Sequence, residues 1–184
     1  MIEVLVTIVI VAFGLLGLAG LLSRLQSSEM EAYQRSQALL LLNDMANRIA
    51  ANRSNHTSYP DAATTTSPLG VGITCADVEV VSPTAVAQSD LREWCDALQG
   101  AGETNTGGAQ VGAMIGGRGC IESVGVAPAI ASRVTVAWQG LTPISAPPVA
   151  IACGAGSYDS AGTPCVNDLC RRTLTTVVQI ATLS

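Results

Sequence analysis

Residues Met1–Leu22, MIEVLVTIVIVAFGLLGLAGLL, decide the fold. Val4–Leu22 are 19 residues without a charge, and Thr7 carries their only hydroxyl. At about 1.5 Å per residue, a helix of that length covers a hydrocarbon layer of about 30 Å. Backbone in lipid must bond to itself, so the run predicts a helix. Arg24 closes it on the polar side. Glu3 stands at the mouth of the run, where a carboxylate without a partner is costly. Two readings compete from these residues alone. A secretory signal peptide has a basic start, an apolar run of about 7–15 residues and a small-residue cleavage site. Here the start is acidic, the run is longer, and no Ala-x-Ala follows. A plain single-pass anchor fits the length and leaves Glu3 unexplained.

Working outward, residues 23–53 contain neither Pro nor Gly. Ala38, Leu42, Met45 and Ile49 recur at helical spacing and make one apolar stripe. Arg24, Glu31, Arg35, Asp44 and Arg48 are spread over the other faces. Run and stripe together predict one helix of about 50 residues, about 75 Å long, whose second half packs on a globular domain. A joint near Ser27-Ser28 is the alternative. Gly14, Gly17 and Gly20 lie inside the apolar run. Each weakens a helix by about 1 kcal/mol relative to Ala. Close approach to another helix is one reason to tolerate them.

The 184 residues leave room for about one soluble domain beyond this segment. All nine cationic side chains are Arg, and the formal net charge is −5. That argues against nucleic acid as the main partner, since phosphate contacts need basic patches. Only six residues are aromatic, so bulky core material is scarce. Six cysteines (Cys75, Cys95, Cys120, Cys153, Cys165 and Cys170) compensate. Their even number in a chain with an export-like N-terminus implies disulfides and an oxidising compartment. No pair has C-x-x-C spacing, and His56 is the lone histidine, so neither a metal site nor a Cys–His nucleophile is expected. The favoured pair is Cys75–Cys120, because these two flank the Trp94 segment; Cys95 and the last three make the rest.

Residues 54–74 read as a loop, with Pro60, Pro68 and a Thr run. Asn52-Arg53-Ser54 and Asn55-His56-Thr57 match the N-glycosylation pattern, without an expectation of use. Ser89–Leu98 reads as a short helix capped by Ser89 or Asp90, with Glu93 as capping-box partner. Leu91, Trp94, Cys95 and Leu98 line one face, with Trp94 a core anchor. Residues 100–119 are glycine-rich and read as a mobile surface loop, since a phosphate loop needs a Lys that the chain lacks. Three strands follow: Cys120–Val126, Arg133–Gln139 with Val134, Val136 and Trp138 on one face, and Thr173–Ala181 with Leu174, Val178 and Ile180 inward. The last two are joined by a long exposed loop, 140–168. No carboxylate pair, Ser/His/Asp set or cofactor motif emerges, so the expectation is a non-enzyme without cofactor.

Met1-Ile2-Glu3-Val4-Leu5-Val6 and the apolar run resemble the N-terminus of type IV pilins. Farther on, Asp90-Leu91-Arg92-Glu93-Trp94, Gly117-Arg118-Gly119-Cys120, Val134-Thr135-Val136-Ala137-Trp138 and Arg171-Arg172 occur in an order similar to minor pilins of the PilV kind. The N-terminal motif is specific for the superfamily, the later pattern less so for the branch. The resemblance implies that a leader and two residues, among them the methyl-accepting one, precede Met1. It implies an α+β pilin fold: a long N-terminal helix packed on a small antiparallel sheet, a short extra helix and disulfide-tied loops. Residues 1–22 are then the transmembrane and filament-core half of the helix, 23–53 its amphipathic half, and 54–184 the head. Glu3 neutralises a neighbouring subunit's N-terminal amine during assembly, and Gly14, Gly17 and Gly20 let the helix melt locally as subunits pack. The expected role is a minor pilin that primes assembly and joins the pilus tip complex. A minor pseudopilin of a type II secretion system, or a major pilus subunit, is the alternative. The implied partners are other minor pilins, the major pilin, a tip adhesin and the inner-membrane assembly platform. The implied location is the inner membrane with the head in the periplasm, and after assembly the pilus.

Overall fold

A computed structural model describes residues 2–60, 62–80, 85–101, 106–107, 114–126 and 130–180. Its first helix, α1, spans Ile2–Ala51 and continues through Ser27-Ser28. The chain divides into two compact units inside this helix, Met1–Tyr33 and Gln34–Ser184.

In the first unit every large apolar residue from Ile2 to Leu22 is at least 49% exposed. In the second unit the stripe Ala38, Leu42, Met45 and Ile49 is buried, and Gln34 extends it by one turn. The spacing of these five residues keeps them on one side of a 3.6-residue helix.

Past α1 a 3-10 helix covers Arg53–Ser58 and another Cys75–Asp77. A second α-helix, α2, spans Ala85–Leu98. Four antiparallel strands form one sheet in chain order: β1 (Leu69–Gly70), β2 (Arg118–Val124), β3 (Ala131–Gln139) and β4 (Arg171–Gln179). β3 is central, pairing Cys120 with Thr135 on one side and Thr175 with Thr135 on the other. The two-residue alternation of strands divides the interior in two. Ile121, Val134, Val136 and Trp138 meet Leu42, Met45, Ile49, Leu91 and Trp94 in the main core. On the opposite face Cys120 and Ala137 meet Cys153 and Tyr158 from the β3–β4 loop.

The expected α+β pilin fold is therefore present, with several local corrections. The stretch 54–74 is not only loop: it supplies β1 and buries Tyr59, Ala63 and Leu69. α2 begins at Ala85, so Ser89 and Asp90 lie inside it and cap nothing; Ala85-Val86-Ala87-Gln88 carry the helix upstream. Of the glycine-rich stretch, Gly102, Gly108 and Gly112 lie outside the described residues. Gly117 is closely packed just before β2 and Gly119 lies within the strand: a Cβ on Gly119 would overlap the Trp94 ring and the Leu98 side chain. β2 starts two residues before Cys120, and Ala181 lies outside the described residues.

The disulfides are Cys75–Cys95, Cys120–Cys153 and Cys165–Cys170, which overturns the Cys75–Cys120 expectation. Strand alternation is the reason. Gly119 and Ile121 face α2 and the main core, so Cys120 between them points to the other face and meets Cys153. Cys75 is left to Cys95 on the buried face of α2.

Candidate assembly surface

The N-terminal half of α1 carries an apolar run on all its faces that is uncovered by the described residues. A helix of that kind calls for a surrounding apolar medium, lipid or protein. Its one hydroxyl is accounted for locally, since Thr7 Oγ1 donates to Val4 O at 2.9 Å. Glu3 sits in the first turn, where the helix dipole favours a negative charge. Among the described residues no hydrogen bond or ion pair reaches its carboxylate. Gly14, Gly17 and Gly20 are all helical, and a Cβ added at any of them would meet nothing within 4 Å. Packing against the described residues therefore does not explain the glycines. The helix is long and apolar enough to cross a membrane.

The second half of α1 is fastened to the head by polar contacts as well as by the stripe. Arg48 Nε donates to Asp44 at 3.0 Å, and its Nη1 to Asp90 at 3.0 Å and Glu93 at 2.7 Å. Burial opposes the Arg48 charge, but the bonds to Glu93 and Asp90 and the field of Asp44 outweigh it and push its pKa up. The same guanidinium, followed by the Ser89 hydroxyl at 3.1 Å, holds the Glu93 carboxyl below the usual range. Tyr59 Oη donates to Asp90 at 2.6 Å and accepts from Asn52 Nδ2 at 3.1 Å. Burial, reinforced by the bond to Asp90, pushes the Tyr59 pKa up to about 12. Trp94 Nε1 donates to Leu41 O of α1 at 2.9 Å, so the largest buried side chain of α2 also has its polar atom satisfied.

Both glycosylation-pattern asparagines have engaged amides, Asn55 Nδ2 donating to Asn52 Oδ1 at 3.0 Å. His56 Nδ1–H donates to Arg53 O at 2.8 Å and belongs to the local turn. Among the described residues no group of three or more His, Cys, Asp or Glu side chains could hold a metal ion.

The β3–β4 loop is cross-braced. Arg171, only 3% exposed, donates through Nη1 to Ile151 O at 2.7 Å and Cys153 O at 3.1 Å, and its Nη2 pairs with Asp168 at 3.1 Å. Asp168 in turn accepts from the Gly156 N–H at 2.8 Å. Tyr158 Oη donates to Gly116 O at 2.9 Å, with the Arg118 guanidinium 5.1 Å from its ring centroid. Burial raises the Tyr158 pKa, against the opposing effect of Arg118.

Glu3, the three glycines and the cysteines stand out in the sequence; the Arg48–Asp90–Glu93–Tyr59 network and the buried Arg171 do not. The i, i+4 spacing of Asp44 and Arg48 was a visible signal, while the partners 42 and 45 residues away were not. The structure leaves Glu3 and the glycines on the exposed helix and gathers the cysteines as three bridges in the head.

No curated protein and no solved structure matches the chain. Residues 22–92, from the end of the apolar run of α1 into α2, match the model of a family described as Tt1218-like, type IV pilin Tt1218. Pilins are structural subunits rather than enzymes, and the match, over less than half of the chain, supports placing this protein in the type IV pilin superfamily.

Proposed function

We propose that the chain is a minor type IV pilin that primes pilus assembly and takes a place in the tip complex. The observation that carries this reading is the uncovered apolar half of α1, headed by Glu3 and continuous with a half clamped into a disulfide-tied head. Residues 1–22 would serve as membrane anchor before assembly and filament core afterwards, 23–53 as the amphipathic half and 54–184 as the displayed head. The move from lipid into a filament keeps the same apolar area out of water, so it needs little driving force of its own. Glu3 supplies the polar element: a carboxylate in an apolar setting gains most from one positive partner, here a neighbour's N-terminal amine. Gly14, Gly17 and Gly20, which pack against nothing among the described residues, allow the helix to loosen as subunits come together. Before assembly the head faces the periplasm, where the three disulfides are stable. Other minor pilins, the major pilin, a tip adhesin and the assembly platform are the proposed partners. The PilV-like order of motifs in the head favours the pilin over its rival, a minor pseudopilin.

Affinity isolation from inner membranes, read by mass spectrometry, tests the assignment. Other pilins and the assembly platform are expected; recovery of neither counts against it. Loss of surface pili with secretion intact in a deletion strain separates pilin from pseudopilin. A Glu3→Ala chain is expected to remain membrane-inserted yet enter pili poorly, and normal incorporation would refute the role given to Glu3.

A further inference from the structure

Of the six cysteines, five are at most 5% exposed, and Cys165 alone is only partly buried. Its bridge to Cys170 also spans the least chain, with a sequence separation of 5 residues against 20 and 33. A thiolate opens a disulfide by attacking one of its sulfurs, so access to that sulfur helps set the rate. A bridge that constrains little chain also draws little protection from the fold, because what it adds to folding is what folding adds to it. Cys75–Cys95 and Cys120–Cys153 lie among buried core residues and are reached only when the core opens.

The ring closed by Cys165–Cys170 is a junction for the β3–β4 loop. Within it Asn167 and Asp168, at φ 54° and 61°, are the only non-glycine residues in the left-handed region among the described residues. Such a pair persists where its surroundings hold it. Asp168 is the main point of attachment. Its N–H donates to Asp159 Oδ1 at 2.8 Å, and its carboxylate accepts from the Gly156 N–H at 2.8 Å and pairs with Arg171 at 3.1 Å. Beside it, Cys165 O accepts from the Ser160 N–H at 2.8 Å and Leu169 O from the Ile144 N–H at 2.9 Å. Ile144, Gly156, Asp159 and Ser160 thus all hang on a short segment whose backbone the bridge restrains.

We propose that Cys165–Cys170 is a thiol-exchange site, opened by a dithiol reductant, and that its opening frees the β3–β4 loop while the rest of the head stays folded. A thiolate of the reductant attacks Cys165 Sγ and forms a mixed disulfide there. The Cys165–Cys170 bond breaks, and its electron pair leaves on Cys170 Sγ, which takes up a proton. The second thiolate of the reductant then attacks the reductant's own sulfur in the mixed disulfide and releases Cys165, which is protonated in turn. The dithiol ends as a disulfide and the ring as two thiols; an oxidised dithiol runs the same steps backwards and closes the ring. With the ring open, Asn167 and Asp168 relax toward negative φ, and Gly156, Asp159 and Ser160 lose their anchor.

The test uses the full chain in detergent micelles, with dithiothreitol as the dithiol. Timed alkylation and peptide mapping should show Cys165 and Cys170 opening roughly tenfold faster, or more, than the other four cysteines. Opening of all three bridges at one rate, or of another bridge first, overturns the proposal. Glutathione, a monothiol, marks the attacked sulfur. After an alkylating quench the mixed disulfide is expected on Cys165 and the alkyl group on Cys170; the reverse pattern overturns the direction of attack. Amide hydrogen exchange at Gly156, Ser160 and Asp168 should quicken about tenfold in the reduced protein and stay unchanged in β2 and β3. Cys165→Ser/Cys170→Ser, which has no ring to open, should show the same fast amides before and after dithiothreitol. Unchanged exchange at these amides in the reduced protein and in the double variant means that Arg171 and Asp168 hold the loop by themselves, and overturns its release by the bridge.

Discussion

Arg48 gathers Asp44, Asp90 and Glu93 around one guanidinium. Remove it, and three carboxylates remain close together with Tyr59 bonded to one of them. Arg48→Met is therefore expected to destabilise the head by about 1.5–3 kcal/mol, the range for hydrogen bonds to charged groups. The pH dependence follows from Glu93. Its folded pKa is lowered from 4.5, so its contribution is present above that value and lost as pH falls through the lower folded one. Melting temperature in the wild type should drop on acidification below 4.5, and the Arg48→Met profile should be flatter there. A variant with the full wild-type acid slope would remove Arg48 as the cause. Gly119 makes a second test at this scale. With the Trp94 ring where a Cβ would lie, Gly119→Ala should cost about 1–3 kcal/mol by overpacking, measurable by denaturant unfolding. From sequence Gly119 looked like part of a loop, because nothing local announces a ring arriving from 25 residues away.

Among the elements α1 was the most legible. An unbroken apolar run followed by a 3.6-residue stripe contains both its length and its buried face, and Ala38, Leu42, Met45 and Ile49 are buried as that spacing requires. Gln34 escaped because it is polar, although it continues the same stripe. β3 and β4 were legible through alternation; β1 was not, since two residues carry no period. The start of α2 was misplaced because Ser89, Asp90 and Glu93 imitate a capping box while their side chains are spent on each other and on Arg48 and Tyr59. The three glycines of α1 give the element-scale prediction. Replacing Gly14, Gly17 and Gly20 together by Ala should stiffen the helix by about 1 kcal/mol per site without steric cost. If local melting serves assembly, this variant stays in the membrane and is depleted from sheared pili, as an immunoblot of both fractions would show. Undiminished incorporation would leave the glycines without that role.

For the molecule as a whole, scarce aromatic material and a long β3–β4 loop place much of the stability of the head on its cross-links. That disulfides exist was readable from an even count of cysteines; their pairing was not, because it depends on which face of β2 each residue takes. The three bridges close loops of very different size, with sequence separations of 33, 20 and 5 residues. Chain-entropy reasoning ranks their contributions in that order, at about 4, 3 and 2 kcal/mol. Surroundings reinforce the order at its ends: Cys120 and Cys153 are 0% exposed inside the second core cluster, whereas Cys165 is only partly buried. Cys120→Ser/Cys153→Ser removes the tie that, with Arg171, holds the loop against β2 and β3. It should lower the midpoint of chemical unfolding most, and Cys165→Ser/Cys170→Ser least. The comparison is between double variants of the full chain in the same detergent, so the exposed apolar half of α1 contributes equally to each. Equal midpoints, or the reverse order, would mean that the arginine bracing of the loop, and not the covalent bridge, holds that face of the head closed.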